Sequence, residues 1–149
     1  RNQVSGISFR KLATDRLVVA AHRGHALLDK AEIRIADLAE ENFIFYPRKI
    51  GVGIYDQFIE LCGKRGFFPN IVQEAQEATT IIGLVASGLG IAVVPSGLQF
   101  IKIPNVAFMP LADADAETDL FLAFRAGEEN PRIAHLIRLA QTAFHNQEG

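Results

Sequence analysis

Continuous apolar runs alternate along this chain with stretches spaced for a helix. Arg16-Leu17-Val18-Val19-Ala20-Ala21 and Phe43-Ile44-Phe45-Tyr46 read as strands, the second stopped by Pro47. Between them, Ile35–Glu40 is a short helical turn at best. Ile54, Phe58, Leu61 and Cys62 then fall on one face of a 3.6-residue period, and Gly63 and Gly66 supply a stop. Pro69-Asn70 turns the chain into a strand over Ile71–Ala75. A helix capped by Thr79 or Thr80 runs to Ser87, with Gly88 where a C′ glycine belongs. Ile91–Val94 is a β-branched strand ended by Pro95; Val106–Leu111 and Leu120–Phe124 are extended. Asn130 caps a last helix with Pro131 at its first position, and Ile133, Leu136, Ile137, Ala140 and Phe144 trace its apolar stripe.

The central order is strand, helix, strand, helix, strand. Apolar strands alternating with helices imply an α/β fold with parallel pairing and right-handed crossovers. The uncharged stretch Ala78–Ile101 has the length of a membrane span, but its glycines, Pro95 and midway change of pattern predict a buried helix running into a buried strand.

Composition narrows the function. The chain has 149 residues, 49% of them hydrophobic, enough for one domain or two small lobes with a core. With 15 basic and 17 acidic residues and no basic block, it lacks the concentrated positive face that grips nucleic-acid phosphates. The single cysteine, Cys62, excludes an internal disulfide, and its place on an apolar stripe predicts a buried, inert thiol.

Two predicted strands end in loops that open helices: Tyr46 to Ile54, and Ala75 to Thr80. In open parallel α/β sheets ligands bind beyond the carboxyl ends of the strands. Helix starts offer unpaired N–H groups and partial positive charge, so two on one rim suit a small anion. Arg48 and Lys49 are expected to add charge, and Gly51 and Gly53 to let backbone approach a ligand; the bland alternative is that these glycines only shape a turn. "GVGIYD" lacks the third glycine of a dinucleotide fingerprint, and no phosphate-loop motif occurs.

Other chemistry is weakly signalled. His22 and His25 fall short of the ligand number a structural metal site needs, so no metal is expected. Ala112–Asp119 alternates acids like a calcium loop, but it lacks that loop's glycine and places Phe124 where a glutamate belongs; it reads as an acidic surface turn. Ser87 and Ser96 lack a nucleophile motif. No catalytic set and no cofactor are expected, and the chain is not read as an enzyme.

"LVASGLGIAVVPSGLQFI" (Leu84–Ile101), preceded by "EAQEATTIIG", resembles the effector-binding domain of LysR-type transcriptional regulators. "DRLVVAAHRGHAL", "IADLAEENFIFYP" and "FMPLADADAETDLFLAFRAGEENP" extend the likeness over nearly the whole chain, with closest flavour to the aromatic-catabolism branch. The resemblance implies two Rossmann-like lobes of the type 2 periplasmic-binding-protein kind with the effector between them. It implies a partial first lobe over 1–42, a complete second lobe over 43–111, and a return to the first over 112–149. Effector contacts carry over to Val52, Gly53, Ile54 and Tyr55 at one helix start and to Ala78 and Thr79 at the other. It further implies a cytoplasmic regulator sensing a small anionic effector, a homodimer or tetramer when full-length. DNA contact would pass only through a helix-turn-helix that this sequence does not include, and no membrane is involved. A type 2 solute-binding protein for uptake of a small anion is the alternative on the same fold.

Overall fold

A computed structural model describes residues 6–49, 52–127 and 131–145. Gly51, Asn130 and the side chains of Val52 and Phe144, all singled out above, lie outside the described residues. The chain divides into two compact units, Arg16–Thr118 and Arg1–Asp15 with Asp119–Gly149, called here the core unit and the terminal unit. The core unit includes Leu17–Ala21, whose side chains are packed into its core.

In the core unit, β2 (Asn42–Phe45), α1 (Val52–Gly63), β3 (Asn70–Glu74), α2 (Ala78–Ala86) and β4 (Ala92–Pro95) give the alternation that the hydrophobic pattern predicts. β2 and β3 pair in parallel, with Phe45 opposite Glu74. A parallel bridge from Phe43 to Ile91 places the chain entering β4 on the other side of β2. The long β1 (Ile7–His22) joins this layout antiparallel, lying between β4 and β5 (Val106–Pro110), with Val18 opposite both Val94 and Pro110. Only Arg16–Ala21 of β1 was legible, and its antiparallel sense was not. β6 (Glu117–Arg125) also pairs with β1, and α3 (Pro131–His145) closes the chain.

The core has two faces. Leu17, Val19 and Ala21 of β1 pack with Phe43, Phe45 and the α1 residues Phe58, Leu61 and Cys62; Val18 and Ala20 pack with Ile44 and the α2 residues Ile81, Ile82 and Val85. Alternate β1 side chains therefore serve opposite layers, as a strand buried on both sides requires. Phe58 stacks obliquely on Phe45 and Phe43, with ring centres 5.1 and 5.4 Å away. Cys62 is fully buried, and burial pushes its thiol up to about 12, so it stays protonated and inert at neutral pH. Ala78–Ile101 resolves into α2 and β4, and no helix among the described residues is long and apolar enough to cross a membrane.

Candidate functional site

Parallel pairing of β2 and β3 sends both carboxyl ends to the same edge of the sheet, and the Ala75 N–H donates to the Phe45 carbonyl there at 3.0 Å. The chain leaves that edge twice to begin helices, at Val52 and at Ala78. The rim therefore carries the positive ends of two helix dipoles. The first intrahelical bond of α2 is Ile81 N–H to Glu77 carbonyl, 3.0 Å. The amides of Ala78, Thr79 and Thr80 thus lack helical acceptors. Neither threonine is the cap: the helix begins two residues earlier than a Thr79 cap would require and three earlier than a Thr80 cap, Glu77 holds the N-cap position, and no side chain caps the amides.

The six predicted residues divide by exposure. Gly53 and Thr79 are exposed, and Ala78 is half-buried. Ile54 and Tyr55 are half-buried and pack on the core, Tyr55 with its ring 5.9 Å from that of Phe45. Val52 opens α1. A Cβ added at Gly53 would meet nothing within 4 Å, and no left-handed backbone angle demands glycine there. Neither packing nor turn geometry within the described residues requires glycine at this position.

Charge at the rim differs from expectation. The Arg48 Nε donates to Asp56 Oδ1 at 2.8 Å, so its charge is matched by a carboxylate of α1. Lys49 remains exposed beside it. Burial, and then the charge of Glu77, raise the Tyr46 hydroxyl above its ordinary value just past the end of β2. The core unit has two open hollows, and the first reaches the rim at Tyr55 and Glu74. One, about 810 Å³, follows β3 from Phe68 to Glu74 and touches Tyr55; the other, about 590 Å³, lies beside β5.

The remaining sequence candidates have structural duties. His22 Nδ1 accepts the Gly24 N–H at 3.1 Å, and His25 Nδ1 accepts the Leu27 N–H at 3.2 Å. His25 Nε2 also lies 3.3 Å from a carboxylate oxygen of Glu41. The acidic turn is not simply solvated surface. Arg65, from the end of α1, donates to Asp113 Oδ1 at 2.9 Å and to both carboxylate oxygens of Asp115 at 2.5 and 3.0 Å. Arg16 donates to the carbonyls of Leu111, Asp113 and Ala114. Asp113 Oδ2 accepts the Ile35 N–H at 2.8 Å, which opens the 3-10 turn Ile35–Leu38. The hydrogen bonds from Arg65 hold the Asp115 carboxyl below the ordinary carboxylate range. This clasp was missed because Arg65 and Asp115 are far apart in the chain and nothing local links them.

Comparison with known proteins agrees with this fold. Residues 1–145 match the model of the LysR substrate binding domain. The chain is 34% identical over 123 residues to the HTH-type transcriptional regulator AlsR of Bacillus subtilis (strain 168), covering 83% of this chain and 41% of that protein. It is 32% identical over 127 residues to the HTH-type transcriptional regulator BenM of Acinetobacter baylyi, covering 84% of this chain and 42% of BenM. The chain thus spans well under two thirds of the length of these relatives. The solved BenM effector binding domain with its effector benzoate superposes with a TM-score of 0.85 at 28% identity, covering 99% of this chain and 68% of that domain. The two-lobed type 2 binding-protein class is that of these regulators, and the relatives are transcriptional regulators rather than enzymes. With its helix–strand order, its sequence and its fold in agreement, the chain belongs to the LysR substrate-binding domain family.

Proposed function

We propose that this chain is the ligand-sensing part of a cytoplasmic bacterial transcription regulator, and that it takes a small carboxylate at the rim where α1 and α2 begin. The carrying observation is the parallel register of β2 and β3, which brings both helix starts to one edge. Backbone amides near Val52, Gly53, Ile54 and Tyr55 serve one side, and those of Ala78 and Thr79 the other. Because the amides do the binding, Ile54 and Tyr55 can spend their side chains on the core. The empty space in front of Gly53 is where the carboxylate comes within hydrogen-bond distance of the backbone. BenM's effector is benzoate, and an aromatic-pathway acid is the class we assign here. In the full-length protein the effector acts by binding two arrangements of a homodimer or tetramer with different affinity, while DNA is held by a helix-turn-helix outside this sequence.

Calorimetric titration of benzoate and of cis,cis-muconate into the full-length regulator tests this reading. We expect saturable heat with one of them, and Gly53→Val to weaken it by about tenfold, equivalent to about 1.4 kcal/mol. The variant should keep its melting temperature, since a Cβ at this position meets no atom within 4 Å and no left-handed backbone angle demands glycine. Silence with both acids rules out the ligand class; equal affinity in the variant removes Gly53 from the site.

A further inference from the structure

β5 lies at the edge of its sheet and pairs on one side with β1. It runs parallel to β4, since both are antiparallel to β1, so its first residues sit at the opposite end of the sheet from the rim described above. There the hollow of about 590 Å³ is floored by Ile103, Val106 and Phe108 and edged by Arg23, Gln99 and Lys102. It is an open hollow, not an enclosed cavity, whose volume and mix of apolar side chains with a few polar groups suit a small molecule held at the surface. No acidic residue lines it. Neither Arg23 nor Lys102 has an ion-pair partner among the described residues, whereas Arg48, Lys64 and Arg65, around α1, each pair with a carboxylate.

The frame around these cations is fixed by backbone. The Arg23 N–H donates to the Asn105 carbonyl at 2.8 Å, and Asn105 itself adopts a left-handed conformation (φ 66°). His22 stands opposite Val106 in the strand register, so Arg23 leaves the end of β1 directly over the start of β5. Ile101, just before Lys102, is tied by its N–H to the Leu98 carbonyl at 3.0 Å.

We infer that this hollow is a second binding site, separate from the rim, for a small organic anion with an apolar body. The carboxylate would bridge the Arg23 guanidinium and the Lys102 ammonium, and the body would rest on Ile103 and Phe108. The inference does not depend on the rim's being the effector site.

Backbone-amide NMR of the full chain tests it with benzoate as the probe, benzamide as the uncharged control and acetate as the control without an apolar body. Benzoate should move the amide signals of Lys102, Ala107 and Phe108 saturably, and each control should require about tenfold more ligand. Each exposed cation is expected to contribute about threefold, so Arg23→Gln with Lys102→Gln should weaken the response by about tenfold, and raised salt should weaken it too. Gly53→Val should leave these signals' response unchanged, which separates this site from the rim. Four outcomes would overturn the proposal: no movement of these signals, an equal response to acetate, an unchanged response in the double variant, or signals that shift with protein concentration alone. The last would make the hollow a contact between copies.

Discussion

Both units carry large apolar side chains yet differ in what they bury. Every buried hydrophobic residue among those described lies between Leu17 and Ala116, inside the core unit. In the terminal unit no described residue is buried, although it supplies Ile7, Phe9, Leu120, Phe121, Leu136 and Leu139 among the exposed large hydrophobics. Besides the backbone pairing of β6 with β1, its side-chain links include exposed polar ones: Lys11 with Asp119 at 2.5 Å, Thr14 Oγ1 donating to Asp119 at 3.0 Å, and Gln141 donating to the Lys11 carbonyl at 3.4 Å. Such links contribute little individually. Periodicity therefore specifies an element, while burial needs a partner for its apolar face. The core unit has both; α3 has the stripe, but Ile133, Ile137 and Ala140 on it are only half-buried and Leu136 is half in water.

The sharpest way to break this contrast is to remove a core aromatic. Phe58→Ala deletes a ring fully enclosed by Phe43 and Phe45, and should cost about 3–5 kcal/mol in urea unfolding of the core unit. A loss under about 1 kcal/mol would mean that the core is far looser than its packing implies. Gly90→Ala comes next. Its new methyl would lie 2.5 Å from the Asn42 carbonyl oxygen, which is already held by the Ile91 N–H at 2.8 Å. Backbone on both sides must shift, at about 2–3 kcal/mol. Wild-type stability in this variant would show that the β2–β4 junction yields easily.

These two positions also show how far the sequence carried. Phe58 was readable, because its helical spacing with Ile54, Leu61 and Cys62 needs only local pattern. The parallel order from β2 to β4 followed from the same reasoning. Gly90 was one glycine among several, since its close approach to Asn42 depends on a pairing 48 residues apart that no local signal records. The first part of β1 was missed because Arg10, Lys11, Thr14 and Asp15 break its apolar run, and none of its residues before Leu17 is buried. At the candidate site, both helix starts were legible to within a turn from the strand ends. The Arg48–Asp56 pair was not, because a charge in a loop gives no sign of which carboxylate will meet it.

A smaller effect should come from the Arg65 clasp, where the two units can be compared through their acids. Arg65 lowers the Asp115 carboxyl in the core unit, and Lys11 lowers that of Asp119 in the terminal unit. A carboxyl held below its unfolded value stabilises the fold above the ordinary carboxylate range, and the benefit is lost as pH falls through that range and below. Arg65 is largely buried, whereas Lys11 is half exposed, so the first pair should be worth more after solvent screening. Asp115→Asn should cost about 1 kcal/mol near neutral pH and nearly nothing near pH 2. A difference independent of pH would assign the effect to lost shape rather than charge.

The smallest expected effect falls on α3. Leu139 is 55% exposed, so its truncation leaves no cavity and gives up little buried area. Leu139→Ala should change the unfolding free energy of the core unit by less than about 0.5 kcal/mol, even though Leu→Ala at a buried site costs about 2–5 kcal/mol. Amide exchange sharpens the point: α3 should exchange near the rate of local opening, while β1 from Leu17 to Ala21 exchanges only on global unfolding. If Leu139→Ala instead costs more than about 2 kcal/mol in a full-length regulator, then α3 has found a covering there. Leu139 would then mark, beside the half-buried stripe, an apolar position that is exposed among the described residues.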